Sequence, residues 1–369
     1  MNRITSVYLD LVRFLAAVVV LLVHLRYERF TSGWLLSFKN YGNDAVMVFF
    51  VLSGFVIAYC VDQKERTPAD YAISRLSRLY SVVIPALLLT VVLDVWGFTV
   101  DSSIYTASWF DRPVLRFATN FFFVNQLWFT DIGAFSNAPF WSLGYEFWYY
   151  VIFGIAAFMT GSKRIVLILL VAVIVGPKIL LLLPVWLMGA WAYSVTKRRV
   201  FKMSTSLILF IGSILAYVAM RTFDLPLRLG WHTAELLGTD IYQHSLAESR
   251  NFLFAYIAGV VVTANFIGFS AMSRHIVLKK IPFESAIRFL ASYTFTLYLL
   301  HQPLLNFFAA ILHNDPSAPL DQLLLLVLTL GAVVAVGTVT EHKKVWWRSW
   351  FEKLFKYKPS VALASKKLR

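Results

Sequence analysis

Ten apolar blocks follow one another along this chain, most of them roughly the 16 to 24 residues that a helix needs to cross a hydrocarbon layer. They lie near 7–26, 44–61, 79–99, 140–160, 163–175, 179–195, 205–221, 252–269, 289–312 and 321–341. A single short block, such as Ile165–Val175, would pass for the core helix of a soluble protein. Ten in succession would not. The expected fold is therefore all-α and integral to the membrane: a polytopic bundle of about ten transmembrane helices with the N- and C-termini cytoplasmic.

Composition supports this reading. Of the 369 residues, 59% are hydrophobic and only 15% carry charge, against about a quarter charged in ordinary soluble domains. A formal charge of +14 would suggest nucleic acid for a soluble protein, but its distribution points to the bilayer instead. With the N-terminus inside, the cytoplasmic segments collect Arg3, Lys64, Arg66, Arg75, Arg78, Lys163, Arg164, Lys197, Arg198, Arg199, Lys202, Arg274, Lys279, Lys280, Arg288 and nine tail residues from Lys343 to Arg369. The opposite side holds Arg26, Arg29, Lys39, Arg112, Arg116, Lys178, Arg221, Arg228 and Arg250, and Arg13 lies within a helix. That asymmetry follows the positive-inside rule, so the partner is a lipid bilayer and no nucleic acid is expected.

Cys60 is the one cysteine, which excludes an intramolecular disulfide. The first apolar block carries Asp10 and Arg13 and lacks a small-residue cleavage site, so it is read as retained. Residues 1–344 form one transmembrane domain in this reading and 345–369 a basic, aromatic cytoplasmic tail. In that tail Trp347, Trp350, Phe351 and Leu354 recur at helical spacing, as in a helix lying on the inner interface. The outer segments 100–139 and 222–251 mix Trp, Asp, Ser and His and read as lids or binding loops. His232 and His244 share one of them, twelve residues apart, and are taken as solvated; no metal site is expected.

Ionisable groups inside a span cost about 2.5–3.5 kcal/mol on insertion scales, which makes each a functional hypothesis. The first helix holds Asp10, Arg13 and His24. Arg13 and His24 are eleven residues apart and share a face about 16 Å apart along the axis, Arg13 towards the cytoplasm and His24 towards the outside. Asp10 is spaced to pair with Arg13, which leaves a structural ion pair open. Arg75 and Arg78, one turn apart at the inner end of the third helix, make a fork for phosphate groups or an ordinary inner-end arginine pair. On the fourth helix Ser142 and Glu146 share a face at about the depth of His24. There the carboxylate is expected either to orient the imidazole for general-base chemistry or to pair with a buried cation. Thr294, Tyr298 and His301 share a face of the ninth helix; Tyr298 and His301, with Asp10, are expected to line the cavity, or His301 simply to cross-link helices by hydrogen bonds. These residues alone describe a polar shaft with a cationic inner mouth, which suits a transferase or a proton-coupled transporter or flippase of a glycan.

Five segments in order decide between them. Leu9-Asp-Leu-Val-Arg-Phe-Leu-Ala-Ala17 with His24, Phe49-Phe-Val-Leu-Ser-Gly-Phe-Val-Ile57, Arg75-Leu-Ser-Arg-Leu-Tyr80, Trp141-Ser-Leu-Gly-Tyr-Glu146 and Leu297-Tyr-Leu-Leu-His301 together resemble the membrane-bound acyltransferase family 3, which O-acylates polysaccharides and other hydroxylated acceptors. The resemblance runs from residue 9 to about 341. Two departures stand out: Ser81 replaces a frequent Pro after the Arg-x-x-Arg-x-Tyr segment, and Glu341 is followed by His342 and Lys343 rather than by x-Pro. The resemblance implies an acyl-CoA donor, acetyl-CoA foremost, bound through its phosphates at Arg75 and Arg78, with no resident cofactor. It implies a glycan or other hydroxylated acceptor, His24 as general base with Glu146 orienting it, and supporting roles for Arg13 and Ser142. It also implies a multi-pass protein of the bacterial cytoplasmic (inner) membrane.

Overall fold

A computed structural model describes residues 1–32 and 41–357; Lys39 and tail residues 358–369, both used in the charge reading, lie outside them. The ten expected helices are all present, in order: α1 (Arg3–Leu25), α2 (Gly42–Gln63), α3 (Pro68–Val100), α4 (Trp141–Phe158), α5 (Gly161–Val175), α6 (Pro177–Arg198), α7 (Met203–Thr222), α8 (Phe252–Met272), α9 (Thr294–Leu312) and α10 (Pro319–Val339). An eleventh, α11 (Lys344–Leu354), follows in the tail. Eight of them are long and apolar enough to cross a membrane, and α4 and α5 complete the ten. Among the described residues there is no strand. The protein is an all-α, multi-pass membrane protein.

Burial separates the centre from the rim. In the apolar stretch of α9, 72% of residues are buried and in that of α2, 67%, against 17% in α7. Helix α7 and the short α5, whose Ile165, Val166 and Leu169 are exposed, therefore face lipid. The α5–α6 hairpin turns on Gly176, where φ is +78° and a Cβ would lie 2.7 Å from the backbone of Trp128; only glycine fits both conditions.

Helix α2 of this centre meets α6 through glycines. A Cβ on Gly54 would lie 2.0 Å from the carbonyl of Trp186, and one on Gly189 would lie 1.9 Å from the carbonyl of Val51. In a bilayer, where apolar burial between helices gains little over lipid, backbone approach of this kind supplies the packing. It seats α6 against α2 with the Trp186 side chain fully buried.

Two helix starts differ from the apolar pattern. Helix α3 begins at Pro68, well before residue 79, because Thr67 accepts the Asp70 amide at 3.1 Å and Pro68 occupies the first turn. At 33 residues it is about 50 Å long, and Arg75 and Arg78 belong to it rather than to a loop. The ninth span starts at Thr294, not 289; a separate helix, Glu284–Ala291, precedes it. The α9 start is held by Glu341, which accepts the Thr296 amide and hydroxyl, each at 3.1 Å.

The outer segment 101–140 is tied down from below. Asp94 of α3 accepts the Ser136 amide at 2.9 Å and its hydroxyl at 2.7 Å. Pro303 inside α9 has no N–H for the carbonyl four residues back, and the Asn137 side chain donates to that carbonyl, Leu299 O, at 2.6 Å. On the inner face α11 packs on α3: Phe351 is buried with its ring 6.0 Å from Tyr80, and Arg348 stands 3.7 Å from Asp70. Trp346 and Trp350 remain exposed on the other face.

Two expectations follow for stability, both read as thermal midpoints in detergent. Gly54→Ala and Gly189→Ala each cost about 1–3 kcal/mol through overpacking, whereas Gly212→Ala and Gly331→Ala, with nothing within 4 Å, do not lower the midpoint; equal behaviour of the two pairs would refute the contact. Asn137→Ala costs about 1–3 kcal/mol by stranding a buried carbonyl. That cost shrinks in a Pro303→Ala background, where residue 303 regains an N–H; a purely additive double-mutant cycle would contradict the capping role.

Candidate active site

A cavity of about 420 Å³ opens between α2, α3, α4, α9 and α11. Its inner mouth is cationic, bounded by Lys64, Arg75, Arg78 and Arg348, with Arg13 on the α1 side. The cations differ in what neutralises them. Arg75 is buried and pairs with buried Glu65, stacked over the rings of Tyr71 and Tyr150 at 5.4 and 5.9 Å. Arg348 bonds Glu352 at 2.8 Å. Arg13 donates to Asp10 at 2.9 Å and to the Ala291 carbonyl at 3.1 Å. Asp10 also takes Arg288 at 3.0 Å, which in turn reaches Glu284 and through it Arg3. Arg78 stands exposed over the Phe295 ring at 5.8 Å and forms no ion pair among the described residues.

The outermost lining residues on the central helices are Val46, Ser142 and Tyr298. Tyr298 and Ser142 bond each other at 2.7 Å; both also reach the Pro139 carbonyl, at 3.1 and 3.3 Å. Phe49 packs edge-on against Tyr298 at 5.3 Å. Just beyond this group, off the cavity wall, sits a pair of histidines. His301 Nε2 lies 3.1 Å from His24 Nδ1; His24 Nδ1 is also 2.8 Å from the Val20 carbonyl, and His301 Nδ1 is 2.8 Å from the Leu297 carbonyl. A carbonyl oxygen only accepts. Each Nδ1 therefore carries its proton, and two consequences follow. The one His24 Nδ1–H is shared between the Val20 carbonyl and His301 Nε2, and in the neutral imidazole His24 Nε2 is the lone-pair nitrogen.

Of the three residues expected on the cavity wall, Tyr298 lies there. His301 is fully buried behind it against His24, and Asp10 faces Arg13 and Arg288 instead. The expectation that Glu146 touches His24 is corrected. Glu146 lines the cavity, but its Oε1 accepts from Ser53 at 2.6 Å and from Tyr150 at 2.5 Å, and Trp186 Nε1 donates to the same Ser53 hydroxyl at 3.1 Å. The reason is helix direction. Ser142 is level with Tyr298, one turn inside His301, and Glu146 lies one turn further in, which places it roughly 10 Å to the inner side of His24. Ser53, Tyr150, Trp186, Lys64 and Arg348 escaped the sequence reading. Ser53 stood inside a quoted motif, and Arg348 stood in a tail read as an anchor. Among the described residues no group of His, Cys, Asp and Glu is placed to hold a metal ion.

Comparison with known proteins places this arrangement. A family model described as an acyltransferase domain matches residues 6–340. An O-acetyl transferase of Shigella phage Sf6 is 29% identical over 174 residues, 44% of this chain and 50% of that protein. The acyltransferase MdmB of Streptomyces mycarofaciens is 27% identical over 158 residues, 38% of this chain and 36% of that protein. The matches thus span half or less of the length of these curated relatives. No solved structure matches. With the family model covering nearly all of its length, the five ordered motifs and the ten helices, the chain belongs to the membrane-bound acyltransferase family 3.

Proposed function

We propose that this protein is an O-acyltransferase of the bacterial cytoplasmic membrane. It moves an acyl group, acetyl foremost, from acyl-CoA on the cytoplasmic side to a hydroxyl of a cell-envelope or exported glycan. The observation that carries the proposal is the His24 Nδ1 contact with the Val20 carbonyl at 2.8 Å, which makes Nε2 the lone-pair nitrogen of the neutral imidazole, just beyond the outer end of a cavity whose inner mouth is cationic.

In this reading the phosphates of the donor meet the inner mouth. Among the described residues Arg78 and Lys64 of that mouth form no ion pair and are available to them, since Arg75 is committed to Glu65 and Arg348 to Glu352. The thioester arm extends outwards along Phe49, Phe50 and Ser53. For the thioester to reach His24, the Tyr298 ring swings away from Pro139 and Ser142. The acceptor hydroxyl arrives from the outer side. His24 Nε2 takes its proton as the oxygen attacks the thioester carbonyl, the C–S bond breaks, and the imidazolium returns the proton to the CoA thiolate. His301 Nε2, accepting from His24 Nδ1–H, fixes the tautomer and stabilises the transient cation. Arg13 lies about 16 Å from His24, too far to touch the oxyanion, so its charge acts on the donor. Glu146, held by Ser53 and Tyr150, shapes the shaft wall rather than the base.

The test is transfer of radiolabelled acetyl from acetyl-CoA to envelope glycans in membranes carrying wild type or His24→Ala at matched expression. Label is expected with wild type and is expected to fall by at least about 10²-fold with His24→Ala; equal label would remove His24 from the reaction. Arg78→Gln is expected to raise the KM for acetyl-CoA about tenfold with kcat little changed, the pattern of lost ground-state binding, and added salt should narrow the gap to wild type. A fall in kcat at unchanged KM would move Arg78 from binding to chemistry.

A further inference from the structure

On the outer side of His24 stands a second cationic group that the acyl-transfer scheme leaves unused. One ring organises it: Tyr27 lies edge-on to the His24 imidazole at 5.8 Å, with the Arg26 guanidinium 5.2 Å and the Arg29 guanidinium 4.9 Å from its centroid. Arg29 also lies 4.9 Å from the Phe30 ring and 5.8 Å from Trp109 of the outer loop. Both guanidiniums are thus fixed beside the base by aromatic faces, which leaves their in-plane N–H groups to find other partners. Among the described residues they find none: the Nε of each is enclosed and has no hydrogen-bond partner, and neither arginine forms an ion pair. Glu28, between them in sequence, is exposed. The hydroxyl of Tyr105, from the same outer loop, is likewise buried without a partner. Burial draws the Arg29 pKa below its ordinary value, as for a cation enclosed without a countercharge.

An outer-leaflet anchoring role does not account for this. Arginines that snorkel to headgroups keep the guanidinium in the interface, whereas these two lie against Tyr27, itself edge-on to the imidazole, and Arg29 also against Trp109. The outer face is poor in cations, as the positive-inside rule requires, so two half-buried ones without an ion pair among the described residues, at the acceptor side of the base, call for a countercharge. We infer that Arg26 and Arg29 form an oxyanion subsite and that the acceptor carries a carboxylate or phosphate on the same molecule as the reacting hydroxyl. The inference rests on the acyl-transfer reading for the word acceptor, but the anion site itself stands on geometry. Its use is orientation: a bidentate contact to the anion fixes the hydroxyl relative to His24 Nε2 and distinguishes charged from neutral glycans.

The experiment needs no acyl donor. Wild-type protein in nanodiscs of phosphatidylcholine alone is titrated, at constant ionic strength, with methyl β-glucuronide or methyl β-glucoside, and the thermal unfolding midpoint is followed. The glucuronide is expected to raise the midpoint and the glucoside to leave it, and Arg26→Gln or Arg29→Gln to weaken the glucuronide response about tenfold or more. Equal responses to the two sugars in wild type overturn the inference without relying on any variant, as does a glucuronide preference that survives both substitutions. Discs containing phosphatidylglycerol form the second arm. If they raise the midpoint and abolish the glucuronide response, the arginines hold a lipid headgroup and the inference falls. Labelled acetyl-CoA then separates the two readings. Transfer to neutral acceptors that is indifferent to both arginines keeps the acyltransferase and removes the anionic acceptor. Glucuronide binding with no transfer to any acceptor keeps the anion site and sinks the acyltransferase.

Discussion

The contact between α2 and α6 governs the rest of the molecule. Gly54 and Gly189 let the two backbones touch, and that approach brings Trp186 onto the Ser53 hydroxyl. With its proton directed to Glu146 Oε1, Ser53 shares that oxygen with the Tyr150 hydroxyl. A carboxylate inside a bundle is costly unless donors meet its charge. The glycine contact is thus what allows Glu146 to occupy the shaft wall, and through Glu146 it sets the facing surface of α4. Helix–helix packing in lipid has little hydrophobic drive to correct a misfit, so an error at this seam would not be absorbed elsewhere.

The same economy appears in the ion pairs. Arg13, Asp10, Arg288, Glu284 and Arg3 form one chain of alternating sign, which ties α1 to the Glu284–Ala291 helix at the inner face. Arg75 is held by Glu65, and Arg348 by Glu352. For the buried Arg75–Glu65 pair, removing one member costs more than the pair contributes, because the survivor is left uncompensated; the others are held by carboxylates nearer the surface. These arginines are therefore poor candidates for charges that must be free between catalytic cycles. Among the described residues Arg78 at the inner mouth, and Arg26 and Arg29 on the outer side of His24, form no ion pair.

The architecture was legible because it depends on length: ten runs of apolar residues need only be counted, and all ten became helices. The boundaries were less so. The Thr67-Pro68-Ala-Asp70 cap was present in the sequence, but it precedes the apolar run by three turns, and hydropathy alone starts the helix too late. The break before Thr294 carries no proline or glycine; it depends on Glu341, almost fifty residues away. Within the site, spacing along α4 put Ser142 and Glu146 on one face, and both line the cavity, whereas on α9 Tyr298 lines it and His301 turns to His24. It could not fix the relative depth of antiparallel helices, so the partner of His24 was assigned to α4 when α9 supplies it. Arg348 lay in a segment whose aromatic periodicity suggested a membrane surface, and only tertiary packing turns one of its charges towards the cavity.

The hydroxyls of Ser142 and Tyr298, backed by Phe49, separate a water-accessible inner chamber from the histidine pair. An open shaft through this bundle would be a conduit, and a coupling membrane holds a voltage worth about 2.3 kcal/mol per charge for each 100 mV. Two imidazoles in hydrogen-bond contact are good proton carriers, so without the aromatic closure the His24–His301 pair would short-circuit that voltage each time the cavity filled. The closure thus insulates: while Tyr298 holds Ser142 and the Pro139 carbonyl, the water of the inner chamber is kept off the histidine pair.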